Sequence, residues 1–237
     1  MRSPRLRAWP AALASVLIAG LALVVAPAPS YAAPTLTTKA GNVVLYDQCQ
    51  SLPIDYAVDL DGATAYRLQL QVFDPNGFTS QGFVVNTASG GKSSGTVSMT
   101  FCGSEAPGTW TIKGSACISF SCFLDQQIPL QSSTFEVRKA QTQTALRTKK
   151  AKRGGYTLIA RVDREEPGGY APSQGIFVQF QRLVGDQWIP VVRRGTSTVD
   201  GVAKLSRGLP RGTRVRAVVP DANNYSGSVS RSLRLKR

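Results

Sequence analysis

Hydrophobic and polar residues alternate along most of the first half of the chain. The clearest alternating stretches span residues 54–60, 66–72, 97–101, 110–112 and 135–137. Alternation of this kind is typical of strands that bury one face and expose the other to solvent. Turn-forming sequences such as Asp74-Pro75-Asn76-Gly77 and Ala106-Pro107-Gly108 separate the stretches. This density of short strands predicts a β-sandwich.

The alternation begins again after a polar stretch, Lys139–Thr144. We expect strands near residues 156–162, 176–180, 188–192, 203–205, 215–219 and 233–235. No stretch has helical spacing long enough to predict a helix. The sequence therefore predicts an all-β fold of two consecutive immunoglobulin-like antiparallel β-sandwiches, the first at residues 33–138 and the second at residues 139–237.

The N-terminal segment, residues 1–32, is expected to lie outside both sandwiches. Arginines precede a predominantly apolar run, Ala11–Ala26, and prolines and the small-residue motif Ser30-Tyr31-Ala32 follow it. These features predict a secretory signal peptide. A retained membrane anchor is the alternative, but the run is shorter than the ~20 apolar residues that a span requires. We expect a secreted protein that is extracellular or associated with the cell wall.

All four cysteines, Cys49, Cys102, Cys117 and Cys122, lie in the part predicted to be exported, where thiols oxidise. Four cysteines allow three pairings. If the strand near residues 54–60 pairs with the strand near residues 96–101, Cys49 and Cys102 meet at one end of the pair. This predicts a Cys49–Cys102 bridge that contributes ~4 kcal/mol, and a Cys117–Cys122 loop clip that contributes ~2 kcal/mol.

Positive charge is concentrated in the second predicted sandwich. Residues 33–138 contain five Lys and Arg against eight acidic residues, whereas residues 139–237 contain twenty against six. An asymmetry of this size points to an anionic partner, and it carries no information about the fold.

Two groups of basic residues are the candidate binding residues. The first lies at the start of the second sandwich and comprises Lys149, Lys150, Lys152 and Arg153. The second alternates with apolar residues, is therefore predicted to point outward from two neighbouring strands, and comprises Arg214, Arg216, Arg234 and Lys236. Gln179 and Gln181 on a flanking strand would extend this polar face. A solvated face without a ligand is the alternative, although aligned cations repel one another unless an anion is bound.

The residue types present in the sequence speak against a catalytic site or a metal site. The sequence contains no histidine, which excludes Ser-His-Asp and Cys-His arrangements and histidine zinc sites. Glu165-Glu166 is interpreted as part of a solvated loop, and Asp59-Leu60-Asp61-Gly62 as a turn, because each lacks the partners of a catalytic pair or calcium loop. Trp110 and Trp188 are expected in the two cores. We expect no enzymatic activity, no cofactor and no metal.

The second half resembles an immunoglobulin-like domain found in secreted and surface proteins of high-GC Gram-positive bacteria. The resemblance covers residues 141–237 and rests on Gln179-Phe180-Gln181-Arg182, Gly185-Asp186-Gln187-Trp188, Asp200-Gly201-Val202-Ala203 and Gly212-Thr213-Arg214-Val215-Arg216. It implies adhesion, spacing or wall association. The first half is similar, more faintly, to the apoproteins that carry enediyne antibiotics, through the Cys-x4-Cys spacing of Cys117 and Cys122. The second short disulfide of those apoproteins has no counterpart here.

Together these features predict a non-enzymatic extracellular binding or adhesion protein. Its basic second sandwich would hold an anionic polymer of the cell envelope, either a teichoic-type phosphate polymer or an acidic polysaccharide. Nucleic-acid binding is an alternative, for which Phe177 is the only stacking aromatic expected on the basic face. A small-molecule carrier or inhibitor, using the Cys117–Cys122 loop with Phe120, is the other alternative.

Overall fold

The alternating stretches form strands along the whole part of the chain that the structure describes. A computed structural model describes residues 34–61, 63, 65–87, 92–118, 127–151, 155–196 and 199–236, without the side chains of residues 192–195. Within these residues there is no helix of the length and hydropathy that a bilayer crossing requires. The predicted signal peptide lies outside the described residues.

The first sandwich consists of two facing sheets. Its strands are β1 (Thr35–Ala40), β2 (Val43–Leu45), β3 (Gln50–Asp59), β4 (Arg67–Phe73), β5 (Thr79–Asn86), β6 (Ser94–Phe101), β7 (Gly108–Cys117) and the first part of β8 (Ile128–Lys150). One sheet has the order β1-β3-β6, and the other runs β8-β7-β4-β5 with β2 added in parallel along β8. Every second residue of β3 is buried between the sheets, as the alternation predicts.

The core of the first sandwich contains two clusters of apolar side chains. Trp110 is fully buried in one of them, where its ring meets the edge of Phe101 at a centroid distance of 4.9 Å. Its indole nitrogen donates a hydrogen bond of 2.9 Å to the carbonyl of Ala106, so the only polar atom of the side chain is satisfied. The expected core position of Trp110 is confirmed.

The predicted Cys49–Cys102 bridge is confirmed. Strands β3 and β6 pair antiparallel, with Gln50 opposite Phe101, so the two cysteines lie next to each other at one end of the pair. Cys117 ends β7 and is buried. The predicted Cys117–Cys122 clip stays a prediction, because Cys122 lies outside the described residues.

The second sandwich also consists of two sheets. Its remaining strands are β9 (Tyr156–Glu166), β10 (Gly169–Pro172), β11 (Phe177–Val184), β12 (Gln187–Gly195), β13 (Val202–Arg207), β14 (Arg214–Val219), β15 (Tyr225–Ser226), β16 (Ser228–Val229) and β17 (Leu233–Arg234). One sheet contains β8, β9, β10 and β13, and the other has the order β12-β11-β14-β16 with β17 also paired to β14. A separate apolar core fills the space between them. The predicted fold of two consecutive sandwiches is confirmed.

Strand β8 belongs to both sandwiches. Its first part pairs with β7, and its second part pairs with β9 from Thr142 to Lys150. The polar stretch Lys139–Thr144, which the sequence suggests as a break between strands, lies inside this one strand. Thr142 is buried there, and its hydroxyl donates a hydrogen bond of 2.8 Å to the carbonyl of Ser226. Polar residues of the stretch therefore find their hydrogen-bond partners on elements that are distant in sequence.

Candidate anion-binding face

The outward surface of the sheet that contains β11, β14 and β17 carries the second group of candidate residues. On β14, Val215 and Ala217 are fully buried in the core, so the alternating Arg214 and Arg216 point away from it. Arg234 and Lys236 are exposed on either side of the buried Leu235. We call the outward surface formed by Arg214, Arg216, Arg234 and Lys236 the basic face.

Arg214 and Arg234 lie directly opposite each other in the antiparallel pair of β14 and β17. Both side chains are exposed. None of the strands β11, β12, β14, β16 and β17 contains an acidic residue. Like charges placed directly across a strand pair destabilise the sheet, so this arrangement favours a bound anion.

Each arginine of the basic face is held by a neutral acceptor. The Arg216 Nε donates to Gln181 Oε1 at 2.7 Å, the Arg214 Nη2 to Ser232 Oγ at 2.9 Å, and the Arg234 Nε to the Gly212 carbonyl at 3.2 Å. Arginine has five N–H donors, so one such bond leaves the others for a ligand. No carboxylate of the described residues forms an ion pair with the basic face. The ion pairs among the described residues involve Arg138, Arg161 and Arg164.

Trp188 lies beside the basic face, and its expected core position is wrong. The side chain is half-buried on β12 and does not belong to the core cluster. The Arg216 guanidinium reaches across β11 and lies 4.4 Å from the centroid of the Trp188 ring, a cation–π contact. Trp188 is therefore part of the candidate site, which the alternation of the sequence does not predict.

A β-bulge explains the outward position of Trp188. Phe180 pairs with Val192, but the next residue, Gln181, pairs with Pro190, so β12 has one extra residue at this point. An extra residue reverses the alternation beyond it, and unbroken alternation would have placed Trp188 on the core face. Pro190 is the signal in the sequence, because proline within a strand is confined to edges and bulges.

Lys236 lies at the end of the second sandwich where β8 also ends. Tyr156 pairs with Lys150 on β8, and its hydroxyl donates a hydrogen bond to the carbonyl of Lys236. Lys149 and Lys150 are exposed, and Lys152 and Arg153 lie outside the described residues. The structure therefore places Lys150 near one end of the basic face, on the other sheet.

A depression of about 760 Å³ adjoins the basic face at this end, and Arg211, Ser232, Arg234 and Lys236 are among its lining residues. Arg211 is a further cation of the site that the sequence pattern does not predict. Arg211 lies in a turn before β14, whereas the other arginines alternate with apolar residues in strands.

Glu165 is part of a strand and not of a solvated loop. It lies in β9, one residue before the end of the strand, and pairs with Tyr170 of β10. The Arg138 guanidinium donates two hydrogen bonds of 2.7 Å to its two carboxylate oxygens. Hydrogen bonding to Arg138 holds the pKa of Glu165 below its usual value of 4.5, although partial burial acts in the opposite direction. Glu165 therefore has a structural role at the junction of the sandwiches.

The other sequence features considered as possible sites, the Asp59–Asp61 segment and the Cys117–Cys122 loop, form no further site among the described residues. The backbone N–H of Asp61 donates to the Asp59 carboxylate at 3.0 Å, the geometry of a turn in which Asp61 has a φ of 56°. No metal-binding group of acidic or cysteine side chains occurs among the described residues. In the Cys117–Cys122 loop, Ile118 is exposed, and Phe120 lies outside the described residues.

No protein-family model matches the chain, and no curated protein matches it significantly. Among solved structures, the chain is similar to the human OSCAR ligand-binding domain, with 14% sequence identity. The similarity covers 86% of this chain and 98% of that chain, with a TM-score of 0.30.

Proposed function

We propose that this is a non-enzymatic, secreted binding or adhesion protein whose second sandwich associates with an anionic polymer of the cell envelope through the basic face. The observation that carries the proposal is the direct opposition of Arg214 and Arg234 on strands without acidic residues. A bound polyanion would screen the repulsion between the two guanidinium groups. Relief of this repulsion would contribute to the free energy of binding.

The location outside the cell is supported by the disulfide and by the leader sequence. Cys49 and Cys102 are bonded, and such bonds persist in oxidising compartments. The motif Ser30-Tyr31-Ala32 after an apolar run supports cleavage of a signal peptide at residues 1–32. Wall association is then the expected result of an exported cationic face meeting an anionic envelope.

The experiment is retention of the protein on purified cell walls, followed by elution with increasing salt. A variant with Arg214, Arg216, Arg234 and Lys236 all changed to Gln should elute at clearly lower salt, because fewer counterions are released on binding.

The matched control removes the same number of positive charges elsewhere, by changing the exposed Lys39, Lys92, Lys204 and Arg207 to Gln. It should elute close to the unchanged protein. Equal loss of retention in both variants would mean that net charge alone is responsible, and equal retention in all three proteins would contradict the proposal.

Nucleic-acid binding is the second candidate, and the position of two aromatic residues favours it. Phe177 is 51% exposed at the start of β11, and Trp188 lies beside Arg216. Aromatic rings next to cations are the stacking surfaces that single-stranded nucleic acids use. A gel shift with single- and double-stranded DNA at near-physiological salt separates the two functions, because only the second candidate predicts a stable complex there.

A further inference from the structure

Arg216 differs from the other arginines of the basic face in how its guanidinium is held. Arg214 and Arg234 each have one hydrogen bond to the protein. Arg216 has a hydrogen bond from Nε to Gln181 and also lies with its guanidinium carbon 4.4 Å from the ring centroid of Trp188. Two contacts at different points of one planar group fix both its position and its rotation.

Gln181 is itself oriented by a neighbour. Its Nε2 donates to Gln179 Oε1 at 2.7 Å, so its Oε1 is turned toward the Arg216 Nε. Gln179 and Gln181 are two residues apart on β11 and share the outward face of the sheet. The row of Gln179, Gln181 and Arg216 is therefore a chain of hydrogen bonds that ends at the guanidinium.

The donors that these contacts leave are the two terminal nitrogens of Arg216. All five N–H bonds of a guanidinium lie in its plane, so stacking against a ring uses none of them. The bond to Gln181 uses the Nε–H. The N–H groups of Nη1 and Nη2 have no acceptor among the described residues, and together they form a fork that matches two oxygens of a carboxylate or phosphate.

We infer that Gln181 and Trp188 hold Arg216 as the oriented anchor of the basic face, which binds one phosphate or carboxylate group of the polymer through Nη1 and Nη2. Arg214 and Arg234 supply charge on the neighbouring positions without a comparable orientation. The inference rests on the proposed function and deepens it, because it assigns specificity to one residue and names the chemical group that this residue recognises.

The test exchanges arginine for lysine, which keeps the charge and removes the fork. Long-chain polyphosphate and polygalacturonate serve as probes, one for phosphate and one for carboxylate, in titrations of the full chain followed by calorimetry at fixed salt. Arg216→Lys should weaken binding by about tenfold, close to the effect of Arg216→Gln, since a lysine neither stacks in the same way nor binds bidentately. The matched control, Arg207→Lys at an exposed position of β13 on the other sheet, should stay within about twofold of the unchanged protein.

The supporting residues are tested separately. Trp188→Leu and Gln181→Met leave the charge of the face unchanged and should each weaken binding several-fold, whereas Trp188→Phe, which keeps an aromatic ring, should weaken it less. Thermal unfolding of each variant confirms that the sandwich is intact, and Gln181→Met tests the inference on its own if Trp188→Leu fails to fold.

The outcomes separate the inference from the proposed function. Equal binding by Arg216→Lys and the unchanged protein, together with loss in the fourfold Gln variant, overturns the inference and leaves the proposed function standing. No binding of cell walls by the unchanged protein overturns both. Loss in Arg216→Lys with one probe alone identifies phosphate or carboxylate as the recognised group, and loss with both shows that the fork accepts either.

Discussion

The guanidinium of Arg164, on β9, forms an ion pair with the carboxylate of Asp47, in the segment between β2 and β3. The Arg164 side chain is only 2% exposed, whereas that of Asp47 is 62% exposed. Arg164 also donates to the Asn224 carbonyl at 3.0 Å, and Asn224 in turn donates from its side chain to Asp47 at 2.7 Å. A buried guanidinium needs a compensating charge, and here the compensation comes from the first sandwich.

Replacing Asp47 by Asn should destabilise the protein by about 1–2 kcal/mol, because it leaves the buried Arg164 charge without its partner. The exposure of Asp47 keeps the effect below that of a fully buried pair. Urea unfolding measures the change. Asp186→Asn, at an exposed turn position between β11 and β12, is the control and should stay within about 0.5 kcal/mol. Similar small changes in both variants would show that the ion pair does not stabilise the junction.

Acid should weaken the junction of the two sandwiches. The Arg164 guanidinium, through its hydrogen bond, holds the pKa of Asp47 below its usual 3.8, and the Arg138 guanidinium does the same for the pKa of Glu165 relative to 4.5. A carboxylate whose pKa is lower in the folded state stabilises the protein fully above its unfolded pKa, and this contribution is lost as the pH falls through the folded pKa.

The measurement is the urea midpoint as a function of pH, which should fall progressively once the pH drops below the usual value of 4.5 for Glu165. In a double variant with Arg138→Gln and Glu165→Gln, part of this decrease should disappear, since that pair no longer titrates. A decrease of the same size in the double variant would show that other carboxylates cause it.

Loss of the Cys49–Cys102 bridge should cost about 4 kcal/mol, because the bond closes a long loop in the unfolded chain. The bonded residues are separated by 53 positions. The variant Cys49→Ser with Cys102→Ser, compared with the unchanged protein by urea unfolding without reductant, measures this cost. Addition of reductant should then destabilise the unchanged protein far more than the variant, and equal sensitivity would contradict the prediction.

Gly201 should not tolerate a side chain, whereas Gly175 should tolerate one at moderate cost. Both have a positive φ, +60° and +74°. A Cβ at Gly201 would overlap the carbonyl oxygen of Val162, whereas a Cβ at Gly175 would meet nothing within 4 Å. We expect Gly175→Ala to cost about 1 kcal/mol for the left-handed conformation alone, and Gly201→Ala about 2 kcal/mol or more. Thermal unfolding midpoints of the two variants give the comparison, and equal values would show that the backbone at Gly201 relaxes.

Strand positions and the Cys49–Cys102 bridge follow from the sequence because alternation is a local property. Each residue of β3 is assigned to a face by its neighbours two positions away, and the register with β6 then fixes where the strand ends meet. The outward direction of Arg214 and Arg216 follows in the same way from the buried Val215 and Ala217.

The position of Trp188 and the course of β8 do not follow from the sequence, because each depends on partners far along the chain. The bulge that turns Trp188 outward is a property of the pairing between β11 and β12. The polar stretch Lys139–Thr144 is indistinguishable from a linker until the acceptors of Thr142 and Lys139, the carbonyls of Ser226 and Ala222, are known. The contact of Arg216 with Trp188 also requires both the bulge and the strand order.

Because β8 passes through both sandwiches, the two sandwiches should be difficult to separate by proteolysis or truncation. A protease needs a segment that can leave its hydrogen bonds and enter the cleft of the enzyme. Residues 137–139 of β8 are paired with β2, and residues 142–150 are paired with β9. Limited digestion should therefore spare the peptide bond between Arg138 and Lys139. A chain divided there would keep β8 paired with β7 in one fragment and with β9 in the other. The buried Arg164 would then lose its Asp47 partner, which would leave an uncompensated charge in the C-terminal fragment.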